Sequence, residues 1–145
     1  MSEINSILLV DDENLFHLVF EDACSILDIS LSLQSVSSAE EAERMFKKYY
    51  EGHSGKPECV FVDLNIIGSS FDGIELVRRI NYKYGNGVVI GIISSSSDEV
   101  EIERAKEAGA MFWIVKSHDI EPRLESFKAD LQDYRERVLD FKIYL

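Results

Sequence analysis

Ile7-Leu8-Leu9-Val10-Asp11-Asp12-Glu13 passes without a break from four apolar side chains to three acidic ones. An apolar run this short is strand length. A strand with no polar alternation is buried on both faces, as the strands of a parallel sheet are. The carboxylates therefore stand where such a strand leaves the core. Leu15, Phe16, Val19, Phe20, Ala23, Ile26 and Leu27 then recur at helical spacing.

The same alternation continues along the chain. Ile29–Val36 alternates apolar and polar residues, the pattern of a half-covered edge strand. Ser38-Ala39-Glu40-Glu41 reads as a capping box, with Ser38 as N-cap of a helix that puts Ala42, Met45, Phe46 and Tyr49 on one face. Gly52–Pro57 is a loop, and Cys59–Val62 is the third strand. After a loop ending at Asp72-Gly73, a helix runs through Leu76, Val77, Ile80 and Tyr84. Val88–Ile93 is the fourth strand. The helix after Ser94–Ser97 stops at Gly109, a residue suited to a helix C-terminus. Met111–Val115 is the fifth strand, and a last helix starts at about Glu121.

Repeated β–α units of this kind predict an α/β fold, a flavodoxin-like (βα)5 three-layer sandwich. Right-handed crossovers and the position of ligand sites in such sheets favour a parallel strand order of 2-1-3-4-5. One domain accounts for residues 1–145, with the βα units over about 1–122 and a long last helix over 121–145.

Composition narrows the function. The net charge is −12 and no cluster of Lys and Arg exists, which argues against direct nucleic-acid binding. No apolar run is long enough to span a bilayer. Met1 leads almost directly into the first strand with no basic leader, so a cytoplasmic location is expected. Cys24 and Cys59 lie in apolar stretches and read as buried, reduced thiols. His17, His53 and His118 show no metal-ligand spacing and read as surface or packing residues.

In an open parallel sheet the site lies beyond the carboxyl ends of the strands, at the switch between strands 1 and 3. Strand 1 ends in Asp11-Asp12, strand 3 in Asp63, strand 4 in Ser94-Ser95 and strand 5 in Lys116. Strand 2 ends without an ionisable residue. Each of these alone fits a turn or a helix cap. Together, on neighbouring strands, they form a site. Clustered carboxylates raise one another's pKa unless a cation joins them, and an all-oxygen set suits Mg²⁺, with Mn²⁺ as the alternative. Lys116 and the Ser94 hydroxyl can hold phosphoryl oxygens, and Asp63 can act as nucleophile.

Leu9-Val10-Asp11-Asp12-Glu13, Val60-Phe61-Val62-Asp63-Leu64-Asn65, Ser94 after an apolar strand, Gly109-Ala110 and Val115-Lys116, in this order, resemble the response-regulator receiver domain of two-component signalling. The resemblance implies a phosphoacceptor switch, not an enzyme acting on other substrates. Asp63 would take the phosphoryl group from a histidine kinase or histidine phosphotransfer protein. Asp11, Asp12, Asp63 and the main-chain carbonyl of Asn65 would bind Mg²⁺, with Asp11 acting mainly through a metal-bound water. Ser94, the backbone N–H of Ser95, and Lys116 would hold the phosphoryl group. Ser94 and the strand-5 aromatic Trp113 would form the switch, and a downstream effector protein would read the surface of the fourth helix, fifth strand and fifth helix. The sequence departs from the family in two places. Ser117 stands where a proline often follows the lysine, and the Ile66–Phe71 stretch is about two residues longer than usual and lacks a proline.

Leu124, Phe127, Leu131, Tyr134, Val138, Phe141 and Leu145 repeat at intervals of three and four to the last residue. This predicts a helix continuing to the terminus, whose second half pairs with another chain, docks on its own domain, or leads to an output domain. Homodimerisation through that helix is the favoured reading. Three other functions compete: a Mg²⁺-dependent phosphohydrolase of the haloacid-dehalogenase type, a flavin-binding module, and a receiver-like scaffold that works without phosphorylation. The first wants a second Asp where Asn65 stands, and Asp11-Asp12-Glu13 would repel a flavin phosphate.

Overall fold

The computed structural model describes residues 6–29, 32–52, 56–117 and 119–145. His53 and His118, the middle of the expected loop at 52–57 and part of the expected second strand lie outside them. The elements are β1 (Ile7–Val10), α1 (Asn14–Leu27), β2 (Leu33–Val36), α2 (Ala39–Tyr50), β3 (Cys59–Asp63), α3 (Gly73–Tyr84), β4 (Val89–Ser94), α4 (Glu99–Ala108), β5 (Phe112–Val115), α5 (Glu121–Arg135) and β6 (Lys142–Tyr144). All strand pairs are parallel, and the sheet order is β2-β1-β3-β4-β5-β6.

The strands sort their side chains by parity. Leu8, Val10, Val60, Val62, Ile90, Ile92 and Trp113 face α2, α3 and α4. Ile7, Leu9, Cys59, Phe61, Val89, Ile93, Phe112 and Ile114 face α1 and α5. The strands are apolar throughout because both faces are covered. Phe61, Phe112 and Tyr134 surround Phe127 at ring separations of 5.2, 4.7 and 5.3 Å, a cluster that ties α5 to the sheet. Cys24 and Cys59 are free and buried. Ser38 caps α2 by accepting a 3.1 Å bond from the Glu41 N–H, and Gly109 ends α4 in the left-handed region at φ 103°.

Gly91 leaves room for the Phe112 ring, since a Cβ at this position would lie 2.5 Å from two ring carbons. Gly91→Ala is expected to cost ~2–3 kcal/mol in urea denaturation, as overpacked core sites do. An unchanged midpoint would show that both the ring and the Phe112 backbone, whose carbonyl oxygen would lie 2.6 Å from that Cβ, move aside freely.

Two expectations need correction. The second strand covers only Leu33–Val36, because α1 closes at Asp28 in the left-handed conformation and Ile29 turns into the core behind it. The long last helix is a larger error. Helix α5 ends at Arg135, and Arg137 takes φ 59°, which no helix continues through. Leu124, Phe127, Leu131 and Tyr134 are fully buried, as the seam predicts, but on their own sheet. Beyond them the chain turns and adds β6 to β5, with Trp113 level with Ile143. Among the described residues no helix extends beyond Arg135, so the expected second half of the seam is not there to dimerise through. The strand instead occupies the β5 edge, where an effector surface was expected.

Candidate functional site

Because every strand is parallel, the carboxyl ends lie together. Val10 is level with Val62, which puts Asp11 beside Asp63. Ser94 is level with Val115, and the Lys116 N–H donates to the Ser94 carbonyl at 2.7 Å. Asp63 is further held by α3. The Gly73 N–H bonds the Leu64 carbonyl at 2.9 Å, and a Cβ on Gly73 would lie 2.2 Å from the Asp63 carbonyl oxygen. Glycine is therefore required where the helix meets the strand end.

Asp11, Asp12 and Asp63 each offer a carboxylate oxygen, and these atoms lie within 4.8 Å of one another. Asp11 and Asp63 are buried and Asp12 is half-buried. Lys116 Nζ is 2.8 Å from Asp11 Oδ2, 2.8 Å from Glu13 Oε1 and 3.6 Å from Asp63 Oδ2, and it also sits 4.3 Å over the Phe16 ring. One ammonium thus serves three carboxylates. The shortfall appears in Asp63, whose carboxyl is pushed up to about 7, first by burial and then by Asp11, with Lys116 and the Asn65 N–H opposing. Burial works against the charge on Lys116, but its ion pair with Asp11 and its bond to Glu13 prevail and raise its pKa. The Lys116 bond pulls Glu13 below the usual carboxylate range.

These residues fit a divalent cation. The donor set is all carboxylate oxygen, and buried Asp11 Oδ2 accepts no hydrogen bond of normal geometry despite the nearby ammonium. A second positive charge would relieve both the orphaned oxygen and the unfavourable ionisation of Asp63.

Of the other predicted residues, Ser94 is buried and its Oγ accepts from the Ser96 N–H at 3.1 Å. Ser95 and Asn65 are exposed. Trp113 is fully buried, and its indole N–H donates to the Ser96 carbonyl at 3.0 Å. Ser96 therefore links Ser94 to Trp113, a role the sequence reading did not assign. It also missed the clamp of Glu13 on Lys116 across the sheet, although Glu13 belongs to the quoted motif. His17 is half-buried and its Nε2 contacts the Asp11 carbonyl. The unusual loop after Asp63 is fastened to α2: the Ala39 N–H donates to Ser69 Oγ at 3.0 Å and the Ser70 N–H to Glu40 Oε2 at 2.9 Å.

A parallel α/β sheet with three carboxylates and a lysine at its carboxyl edge defines a receiver-type signalling domain. Residues 7–127 match the response regulator receiver domain, and the chain belongs to that family, a component of two-component systems. Solved structures agree in fold. A two-component response regulator from Cytophaga hutchinsonii superposes with a TM-score of 0.77 at 20% identity, over 90% of this chain and 98% of that one. The phosphorylated cyanobacterial phytochrome response regulator RcpA gives 0.73 at 19% identity, over 90% and 94%. The Mn²⁺-bound form of response regulator Rcp1 gives 0.67 at 19% identity, over 91% and 95%. No curated protein sequence matches the chain. Among the described residues, no helix is long and apolar enough to cross a membrane.

Proposed function

We propose that Asp63 accepts a phosphoryl group from the phosphohistidine of a kinase or phosphotransfer protein, in a Mg²⁺-dependent step, and that a partner protein reads the change. The observation that carries this reading is Lys116, held 3.6 Å from Asp63 Oδ2 between that carboxylate and Asp11. An Asp63 oxygen forms the new bond to phosphorus while the P–N bond breaks, its electron pair leaving on the imidazole nitrogen. Mg²⁺ held by Asp11, Asp12, Asp63 and the Asn65 carbonyl would supply charge neutralisation for the phosphoryl oxygens. Lys116 exchanges its bond to exposed Glu13 for a phosphoryl oxygen. The Ser94 hydroxyl, whose oxygen already accepts from Ser96, keeps its own proton to donate to another. The Ser95 N–H would add a further donor. When Ser94 turns inward, the Ser96 peptide bonded to Trp113 moves with it, which is the proposed route from site to surface.

The donor approaches along α1. Leu15 and Leu18 are 70% and 64% exposed there, and Leu15, Phe16 and Val19 line a groove with Glu13, Lys116 and Ser117. Asn65 offers no general acid at this position for turnover of external phosphate esters, which favours self-phosphorylation and self-dephosphorylation as the chemistry of the site.

The test is intact-mass spectrometry after incubation with acetyl phosphate and Mg²⁺. One added phosphoryl group is expected, absent without Mg²⁺ and absent in Asp63→Asn. An adduct that survives in the variant would move the acceptor elsewhere. No adduct from either acetyl phosphate or a phosphorylated donor protein would favour the scaffold reading.

A further inference from the structure

Strand β6 is the last in the sheet, and its outer edge pairs with nothing among the described residues. Sheet edges are usually protected by bulges, prolines, outward charge or a covering element. Here Lys142 supplies the only charge on the strand, and it folds back onto Asp130 at 2.6 Å. Phe141-Lys142-Ile143-Tyr144-Leu145 also alternates strictly. Tyr144 is buried in the α1/α5 layer and Phe141 packs in the α2–α4 layer. Strand parity then sends Ile143 and Leu145, 40% and 77% exposed, to the same side as Phe141.

We propose that β6 pairs antiparallel with β6 of a second copy of this chain, about a two-fold axis through Ile143, joining the two sheets into one. The segment complements itself in that register. Ile143 faces Ile143 of the second copy and Phe141 faces Leu145, so apolar residues meet on one side of the sheet. On the other side Lys142 faces Tyr144. The Tyr144 hydroxyl lies 2.7 Å from Asp130 Oδ2, so each Lys142 ammonium approaches the Asp130 of the second copy as well as its own. Directly opposed side chains on antiparallel strands lie ~4.5–5.5 Å apart at Cβ, close enough for both kinds of pair to act. An isologous contact of this kind closes as a dimer in which neither β6 edge remains free. With so short a strand the interface is small, below the roughly 1,000 Å² of a tight complex, so the dimer is expected to be concentration-dependent.

Sedimentation velocity from about 5 to 500 µM should show the mass rising toward twice the monomer value. Ile143→Lys and Ile143→Glu, each at a half-exposed position, should fold normally by circular dichroism and stay monomeric. Mixed one to one, they should recover the dimer, since opposite charges then face each other. Ile143→Cys should oxidise to a disulfide-linked dimer at least ~10-fold faster than Val138→Cys, because opposed antiparallel Cα atoms are ~4.5–5.5 Å apart, within disulfide reach. Val138 is 70% exposed but lies outside the strand, and the native cysteines are buried. A monomer throughout the range, a dimer that Ile143→Lys leaves intact, or equal crosslinking at the two positions would overturn the proposal.

Discussion

The metal-free protein is expected to lose ~2–4 kcal/mol of stability as pH rises from about 4 to 8, and Asp63→Asn to lose far less. Asp63 is only 7% exposed, and its carboxyl is raised from 3.8 to about 7, burial being the first cause and Asp11 the second. Between those values the folded protein holds a proton that the unfolded chain has released. Folding is therefore favoured at low pH, and the advantage is lost as pH climbs through about 7. Glu13, Glu75 and Asp130 are shifted the other way, so their contributions act below about pH 5 and leave the upper part of the window to Asp63. Asparagine keeps the shape of the protonated acid and removes the titration. Urea denaturation of both proteins at intervals of one pH unit gives the comparison. Parallel curves would mean that Asp63 is ionised at little cost and that Lys116 alone balances the cluster. Added Mg²⁺ should flatten the wild-type curve and leave the variant nearly unaffected.

The same electrostatics tie stability to signalling. A site that disfavours the ionised form of Asp63 is one in which a cation finds unmet demand, and under the proposed function that cation in turn admits the phosphoryl group. Glu13 holds Lys116 in reserve at 62% side-chain exposure, where water screens the pair and exchange is easy. Asp11, fully buried, does not let go so readily, and it keeps the ammonium over the cluster. Under the proposed function the lysine is positioned by Asp11 and released by Glu13.

Much of this site was legible before any coordinates. Asp11, Asp63, Ser94 and Lys116 each follow an apolar run directly, with Asp12 one residue further on, and parallel topology converts that shared position into shared space. What the sequence did not disclose depends on distances between elements. Nothing local marks Ser96 as the bridge between Ser94 and Trp113, since its two bonds go to separate strands, one at the end of β4 and one within β5. The terminus was misread for a specific reason. Phe141 and Leu145 are four residues apart, an interval common to a helix face and to every second residue of a strand, so the helical seam ran on past its true end at Arg135. The decisive event is the left-handed turn at Arg137. That conformation is uncommon for a residue with a side chain, and no glycine announces it. Hydrogen bonds from the Arg137 guanidinium to the carbonyls of Tyr134 and Val88, at 2.7 and 3.2 Å, accompany the turn.

Tyr144 distinguishes the strand from the helix most sharply. Its ring is 4% exposed against Phe127, and its hydroxyl is 2.7 Å from both the Tyr134 hydroxyl and Asp130 Oδ2. Burial, first of all, raises both phenols, that of Tyr134 to about 12. Tyr144→Phe should cost ~1–2 kcal/mol, because the buried Tyr134 hydroxyl loses a partner it cannot replace. Tyr144→Ala should cost ~3–5 kcal/mol, the loss typical of a large aromatic side chain cut from a core. The larger change should also redden the emission of Trp113, the only tryptophan, as β6 frays from the strand beside it. At the end of a solvated helix, the same two substitutions would each fall within about 0.5 kcal/mol of wild type. A small and equal pair of effects would therefore remove β6 from the sheet, and the dimer proposed through it as well. A graded pair with the fluorescence shift would leave the β5 edge covered by the chain's own terminus, so that any partner reading Trp113 must do so through β6.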